Sequence, residues 1–235
     1  MTTLDGKRLL LVGASSGIGR RIAADAAAAG AHVTLAGRAA DQARAAASEL
    51  EVGHAEVDLR EEASITRLAE QVGPLDHVVN LAAAPANGPL AGLTRDAIVQ
   101  AFDAKVVGAL LLAKHLAPLI REGGSILLFS GLLAWRPAPG RVVMATANGA
   151  VTFLATALAV ELAPIRVNAL APGVIDSGAW DRLGDGRDAF FEQTAATVPA
   201  RRVGRPEDVA AAALLALTNP FMTGTTLHVD GGGRW

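Results

Sequence analysis

The run Gly13-Ala14-Ser15-Ser16-Gly17-Ile18-Gly19 has the residue types and spacing of a phosphate-binding turn. It directly follows the apolar residues Leu9 to Val12 and leads into a helix-compatible stretch from Arg20 to Ala29. Glycines in such a turn permit a sharp reversal, close approach of the backbone to a pyrophosphate, and tight packing of helix on strand. The new helix also presents free N–H groups and a positive dipole end to an anion. A purely structural tight turn is the alternative; the strand before and the helix after favour the nucleotide. At the end of the second apolar run stands Gly37-Arg38, where an acidic residue commonly holds a ribose 2'-hydroxyl. An arginine there suits a 2'-phosphate, the alternative being a solvated surface charge.

Other chemistries are poorly provided for. The chain has no cysteine, hence no disulfide or thiolate site, and its five histidines (His32, His54, His77, His115, His228) show no ligand spacing, so no metal is expected. The formal charge of -2 arises from dispersed residues without a basic stripe, which argues against nucleic acid. Met1 to Lys7 contains no apolar signal core, which makes the cytoplasm the expected compartment. The apolar stretch from Ala150 to Ala163 is interrupted by Thr152, Thr156 and Glu161 and reads as a buried helix, so no membrane partner is expected.

These residues need a scaffold. Short apolar runs at Arg8-Val12, His32-Ala36, His54-Val57, Leu75-Val79, Ser125-Phe129, Arg166-Leu170 and Thr226-Val229 are separated by helix-compatible stretches, so the pattern is β-α repeated. Runs such as Leu9-Leu10-Leu11-Val12 lack alternation and suit a parallel sheet covered on both faces. The expected fold is a single α/β domain over 1–235, a Rossmann-type doubly wound sheet of about seven strands. The pattern breaks between about 176 and 203, where Gly178, Gly184 and Gly186 interrupt Trp180, Phe190 and Phe191; a lid or substrate loop and a plain irregular connection are both open.

With Val57-Asp58-Leu59, Leu75 to Ala83, Arg166-Val167-Asn168, Pro172-Gly173, Arg205 to Ala210, Thr223-Gly224 and Asp230-Gly231-Gly232, all in order, the chain resembles the short-chain dehydrogenase/reductase family over nearly its whole length. The resemblance implies NADP(H) as cofactor, held by Gly13, Ser15, Ser16, Gly17, Ile18, Gly19 and Arg38. It implies that Asp58 and Leu59 contact the adenine and that Asn80 and Ala82 lie beside the ribose. Pro172 and Gly173 lead to Ile175 and Ser177, which meet the nicotinamide amide and pyrophosphate.

The family's chemistry uses a tyrosine, a lysine four residues later, a serine and a helix asparagine. Here Met144 and Asn148 align with the tyrosine and lysine, Gly131 with the serine, and Lys105 with the asparagine. No shifted alignment recovers the acid, because the chain contains no tyrosine at all. Ser130 is one residue out of register and either donates to a substrate oxygen or caps the strand end. Lys105 is one of only three lysines (with Lys7 and Lys114), so background usage does not explain it. Removed from water it would titrate nearer neutrality and give or take a proton; otherwise it fills space and snorkels outward. Asn148 retains a neutral hydrogen-bonding capacity for the ribose. Arg136 and Arg141 flank a loop over the pocket, and Met144 and Trp180 would make that pocket apolar.

The expected function is an atypical NADP(H)-dependent oxidoreductase of a small carbonyl, alcohol, imine or activated alkene, with Lys105 or Ser130 serving the proton. An NADP(H)-binding non-redox protein is the alternative, and a pocket that orients a reactive substrate without net redox is a third. The resemblance also implies a homodimer or homotetramer, built on helices near 98–118 and 142–163.

Overall fold

The computed structural model describes residues 3–38 and 40–235. Seven strands, β1 (Arg8–Val12), β2 (His32–Gly37), β3 (Gly53–Glu56), β4 (Leu75–Asn80), β5 (Ile120–Phe129), β6 (Arg166–Pro172) and β7 (Thr226–Val229), form one sheet in the order β3-β2-β1-β4-β5-β6-β7. Every neighbouring pair is parallel. The helices are α1 (Gly17–Ala28), α2 (Ala40–Glu49), α3 (Glu62–Val72), α4 (Arg95–Phe102), α5 (Gly108–Leu116), α6 (Val142–Glu161), α7 (Gly186–Thr197) and α8 (Pro206–Thr218).

The continuous apolar strands are explained by burial on both faces. Leu10 and Val12 of β1 enter the core formed with α3, α5 and α6, whereas Leu9 and Leu11 enter the core formed with α1 and α8. All four are at most 1% exposed, and each contributes about 1.5–3 kcal/mol of apolar transfer free energy. The sheet order reverses between β1 and β4, and at that switch point the carboxyl ends of the strands leave a crevice.

Two elements depart from the sequence reading. First, the segment 176–203 is not irregular throughout: it holds a short 3-10 turn, Asp181–Leu183, and the 12-residue α7. None of the residues of α7 is buried, so it lacks the apolar stripe by which helices are recognised in sequence. Second, the helical stretch near 98–118 is broken between α4 and α5 by a π turn, Asp103–Val107. The helix expected near 142–163 is α6, which is 20 residues long and, by length and composition, long and apolar enough to cross a membrane. In this fold its buried residues Val151, Ala155 and Leu158 face the sheet as core.

Candidate nucleotide-binding and active site

The glycine turn is dictated by contact distances. A Cβ at Gly13 would lie 2.8 Å from the Ala82 nitrogen, so the chain leaving β1 passes directly beneath the chain leaving β4. Gly13 also adopts φ +77°, a conformation disfavoured for other residues. At Gly19 a Cβ would be 2.5 Å from the Ala14 Cα, so only glycine lets α1 pack on its own turn. Ser16 N-caps α1 without a side-chain hydrogen bond, which leaves the first-turn N–H groups available to an anion.

Two adjoining cavities open at this turn. One, about 740 Å³, is lined by Gly13, Ser15, Ser16, Arg38, Asp58, Leu59, Arg60 and Ala82 among others. The other, about 520 Å³, is lined by Ser16, Gly17, Ile18, Gly19, Lys105, Ser130 and Ser177 among others. They share Gly13, Ser16, Leu81 and Ala179. Glycine-floored and running past a helix start, this space suits a dinucleotide, with Arg38 on the wall of the larger cavity alone. Asn80 lies just behind it, its Oδ1 accepting a hydrogen bond from the Ala82 N–H at 3.1 Å. Pro172, Gly173 and Ile175 do not line either cavity. Gly173 packs against Asp230, where a Cβ would be 2.8 Å from its Cα, and Ile175 is buried beside a separate cavity near His228.

Lys105 sits in the π turn, 6% exposed, with Nζ free of hydrogen-bond and ion-pair partners among the described residues. A π turn inserts a residue into the helical ladder, which redirects side chains and recurs at functional sites. Burial, with no compensating carboxylate, lowers the Lys105 pKa from 10.5 to about 8.

Ser130 does not fill the role of a free hydroxyl donor. Its Oγ donates to the Asn148 carbonyl of α6 at 2.8 Å, with Thr152 Oγ1 at 3.3 Å, so its proton is spent tying β5 to α6. Beside it, Gly131 and Asn148 are fitted to one another, since a Cβ at Gly131 would lie 2.8 Å from Asn148 Nδ2. Asn148 is 5% exposed and its Oδ1 has no partner among the described residues, a costly state for a buried acceptor and one that a hydroxyl donor would relieve. Met144 is 9% exposed and adds only apolar surface.

Trp180, expected with Met144 to make the pocket apolar, lines neither cavity; between the cavity-lining Ala179 and Asp181 its Nε1 donates to the Ile175 carbonyl at 3.0 Å and its ring packs on Phe190 at 4.7 Å. Arg187 reaches back from α7 to Asp176 and lies 4.6 Å over Phe191. Arg136 donates to the Gly233 carbonyl at 2.9 Å, which fastens the C-terminal segment rather than presenting a free charge to the pocket. Sequence reasoning passed over Arg60, although a guanidinium two residues after Asp58 was a visible signal.

The model for the family described as enoyl-(acyl carrier protein) reductase matches residues 13–233. A short-chain dehydrogenase/reductase from Stachybotrys chlorohalonatus is 32% identical over 99% of this chain and 98% of its own. Among solved structures, a small-chain dehydrogenase in complex with NADPH superposes with TM-score 0.86 at 34% identity, covering 98% of this chain and 99% of that one. The MalC reductase/Diels-Alderase from Malbranchea aurantiaca superposes with TM-score 0.93 at 29% identity, covering 98% and 97%. With a matching family model, a relative aligned end to end and the glycine-floored crevice at the sheet's switch point, this chain belongs to the short-chain dehydrogenase/reductase family.

Proposed function

We propose that the protein is an NADP(H)-dependent oxidoreductase of a small carbonyl, alcohol, imine or activated alkene, in which Lys105 replaces the family's usual proton-handling group. The observation that carries this reading is the unpaired, buried Lys105 on the wall of the cavity that continues from the glycine turn. The complex of the superposed dehydrogenase with NADPH supports the cofactor. Arg38 supplies a charge for the 2'-phosphate, Gly13 to Gly19 and the α1 N–H groups hold the pyrophosphate, and Asn148 Oδ1 accepts from a ribose hydroxyl.

When bound, NADPH supplies a hydride to the substrate carbon. The residues then have to manage the charge left on the substrate oxygen, nitrogen or enolate. Met144 and Gly131 offer no proton, and the chain has no tyrosine. Lys105 Nζ, with its pKa near 8, is mostly ammonium at neutral pH and donates a proton or stabilises the developing anion. Above that pKa it is neutral and can accept a proton, as oxidation requires. We assign the Trp180–Phe190 cluster within 176–203 to a lid that excludes water, and 1–235 to one catalytic domain in the cytoplasm. Phe153 and Val160 of α6, exposed at 78% and 80%, and Leu110 of α5 give a homodimer or homotetramer an apolar face to bury.

A second reading is supported by the missing tyrosine and by the neighbour named as both reductase and Diels-Alderase: a pocket that orients a substrate, with NADP(H) bound but not consumed. A cycloaddition requires no proton donor. Mixing the protein with NADPH and a broad panel of aldehydes, ketones, imines and enones separates the readings. Loss of nicotinamide absorbance supports the oxidoreductase; saturable binding without turnover across the panel supports the alternative.

A further inference from the structure

Arg60 is unlike the other exposed arginines in that it faces the same cavity as Arg38. Its guanidinium clasps Asp58, with Nε 2.9 Å from Oδ1 and 3.1 Å from Oδ2, while Nη2 reaches Oδ2 and the Arg60 backbone N–H donates to Oδ1 at 3.0 Å. Asp58 is therefore held by one residue at nearly every lone pair, and it also feels the field of Arg38. Arg38, Arg60 and Asp58 together carry a net charge of +1, and Glu61 and Asp103 also act on Arg60. A 2'-phosphate brings about -1.5 to -2, more than Arg38 alone neutralises.

We infer that Arg60 is a second arm of 2'-phosphate recognition, parked on Asp58 until the phosphate arrives. This rests on the reading that the cavity takes NADP(H). The exchange is chemically even, because one bidentate partner of a guanidinium replaces another and Arg60, 38% exposed, swings through solvent without disturbing the core. It has a second consequence. Released from Arg60, the Asp58 carboxylate becomes an acceptor for the adenine amino group that the family resemblance places there. The 2'-phosphate and the adenine are thereby read in concert, and a nucleotide lacking the phosphate meets an aspartate that is already engaged.

The test uses adenosine 2',5'-bisphosphate and adenosine 5'-monophosphate as probes, with affinities measured by calorimetry on the full chain, so no turnover is needed. Wild type should prefer the bisphosphate by at least about tenfold, as expected for charge-assisted contacts. Arg60→Met should cut that preference roughly five- to twentyfold without weakening the monophosphate, since Asp58 is then free. Asp58→Asn should raise the preference, because Arg60 is no longer sequestered. A preference within about twofold of wild type in both variants would overturn the role of Arg60. Absence of any preference in wild type would instead overturn the NADP(H) reading on which it rests.

Discussion

Replacing Lys105 by methionine should make the protein more stable and less active at once. The Lys105 ammonium is buried without a partner among the described residues, and its pKa falls from 10.5 to about 8. At about 1.4 kcal/mol per pKa unit, holding that charge in the fold costs roughly 3 kcal/mol near pH 7, where folded and unfolded chains are both protonated. As pH rises through 8 the folded chain releases the proton while the unfolded chain still holds it, so stability increases. The penalty shrinks to roughly 1 kcal/mol by about pH 10. Methionine keeps similar length and removes the charge. For a chain of this size the gain near pH 7 corresponds to a melting temperature higher by roughly 6–12 °C, shrinking to a few degrees near pH 10. Thermal unfolding followed by circular dichroism at both pH values measures it. A variant that melts at or below wild type near pH 7, or whose difference from wild type is independent of pH, would refute a desolvated, unpaired ammonium. A stabilising substitution that removes turnover is what a strained functional group predicts, whereas a merely space-filling lysine predicts no loss of turnover.

Other perturbations follow from single contacts. Arg38→Ala should weaken NADPH binding at least tenfold more than NADH binding in titrations of nicotinamide fluorescence; equal losses would deny the 2'-phosphate contact. Gly131→Ala places a Cβ where Asn148 Nδ2 lies 2.8 Å away without adding a hydroxyl that Asn148 Oδ1 could use, and should cost about 1 kcal/mol in urea unfolding. Adding Asn148→Ala should recover most of that loss, and an additive pair would show the two positions are not coupled. His77, whose ring Nδ1 is 2.9 Å from Ser125 Oγ, is driven by burial to a pKa of about 4. The folded chain resists protonating it while the unfolded chain accepts the proton below about 6.5, so stability should fall as pH drops from 6.5 towards 4. His77→Gln should flatten that part of the pH–stability curve, and an unchanged slope would assign it to other groups.

The parallel sheet and the phosphate turn were legible because both are local: Leu9 to Val12 must be buried on two faces, and Gly13 and Gly19 stand where no Cβ fits. What the sequence hid depends on direction and partnership. Ser130 lies at the site by position, yet its hydroxyl turns to the Asn148 carbonyl, which spacing along a strand hints at but does not decide. Lys105 was visible as a residue type, but its burial follows from a π turn that no periodicity announces. α7 escaped notice because Phe190 and Phe191 serve a surface cluster with Trp180 and Arg187 instead of the core. Arg60 and Asp58 show the same limit: their spacing of two makes a pair visible in the sequence, but not that the pair is clasped and faces a cavity.

The most direct measurement of the role given to Lys105 is the pH dependence of single-turnover NADPH oxidation, with the panel substrate that turns over fastest. Wild type should lose rate as pH rises through about 8, where Lys105 gives up its proton. Lys105→Arg should be slower with no such inflection, and Lys105→Met should be slower by at least roughly a hundredfold. A wild-type profile flat through pH 8, or full activity in Lys105→Met, would contradict the assignment of the proton to this residue.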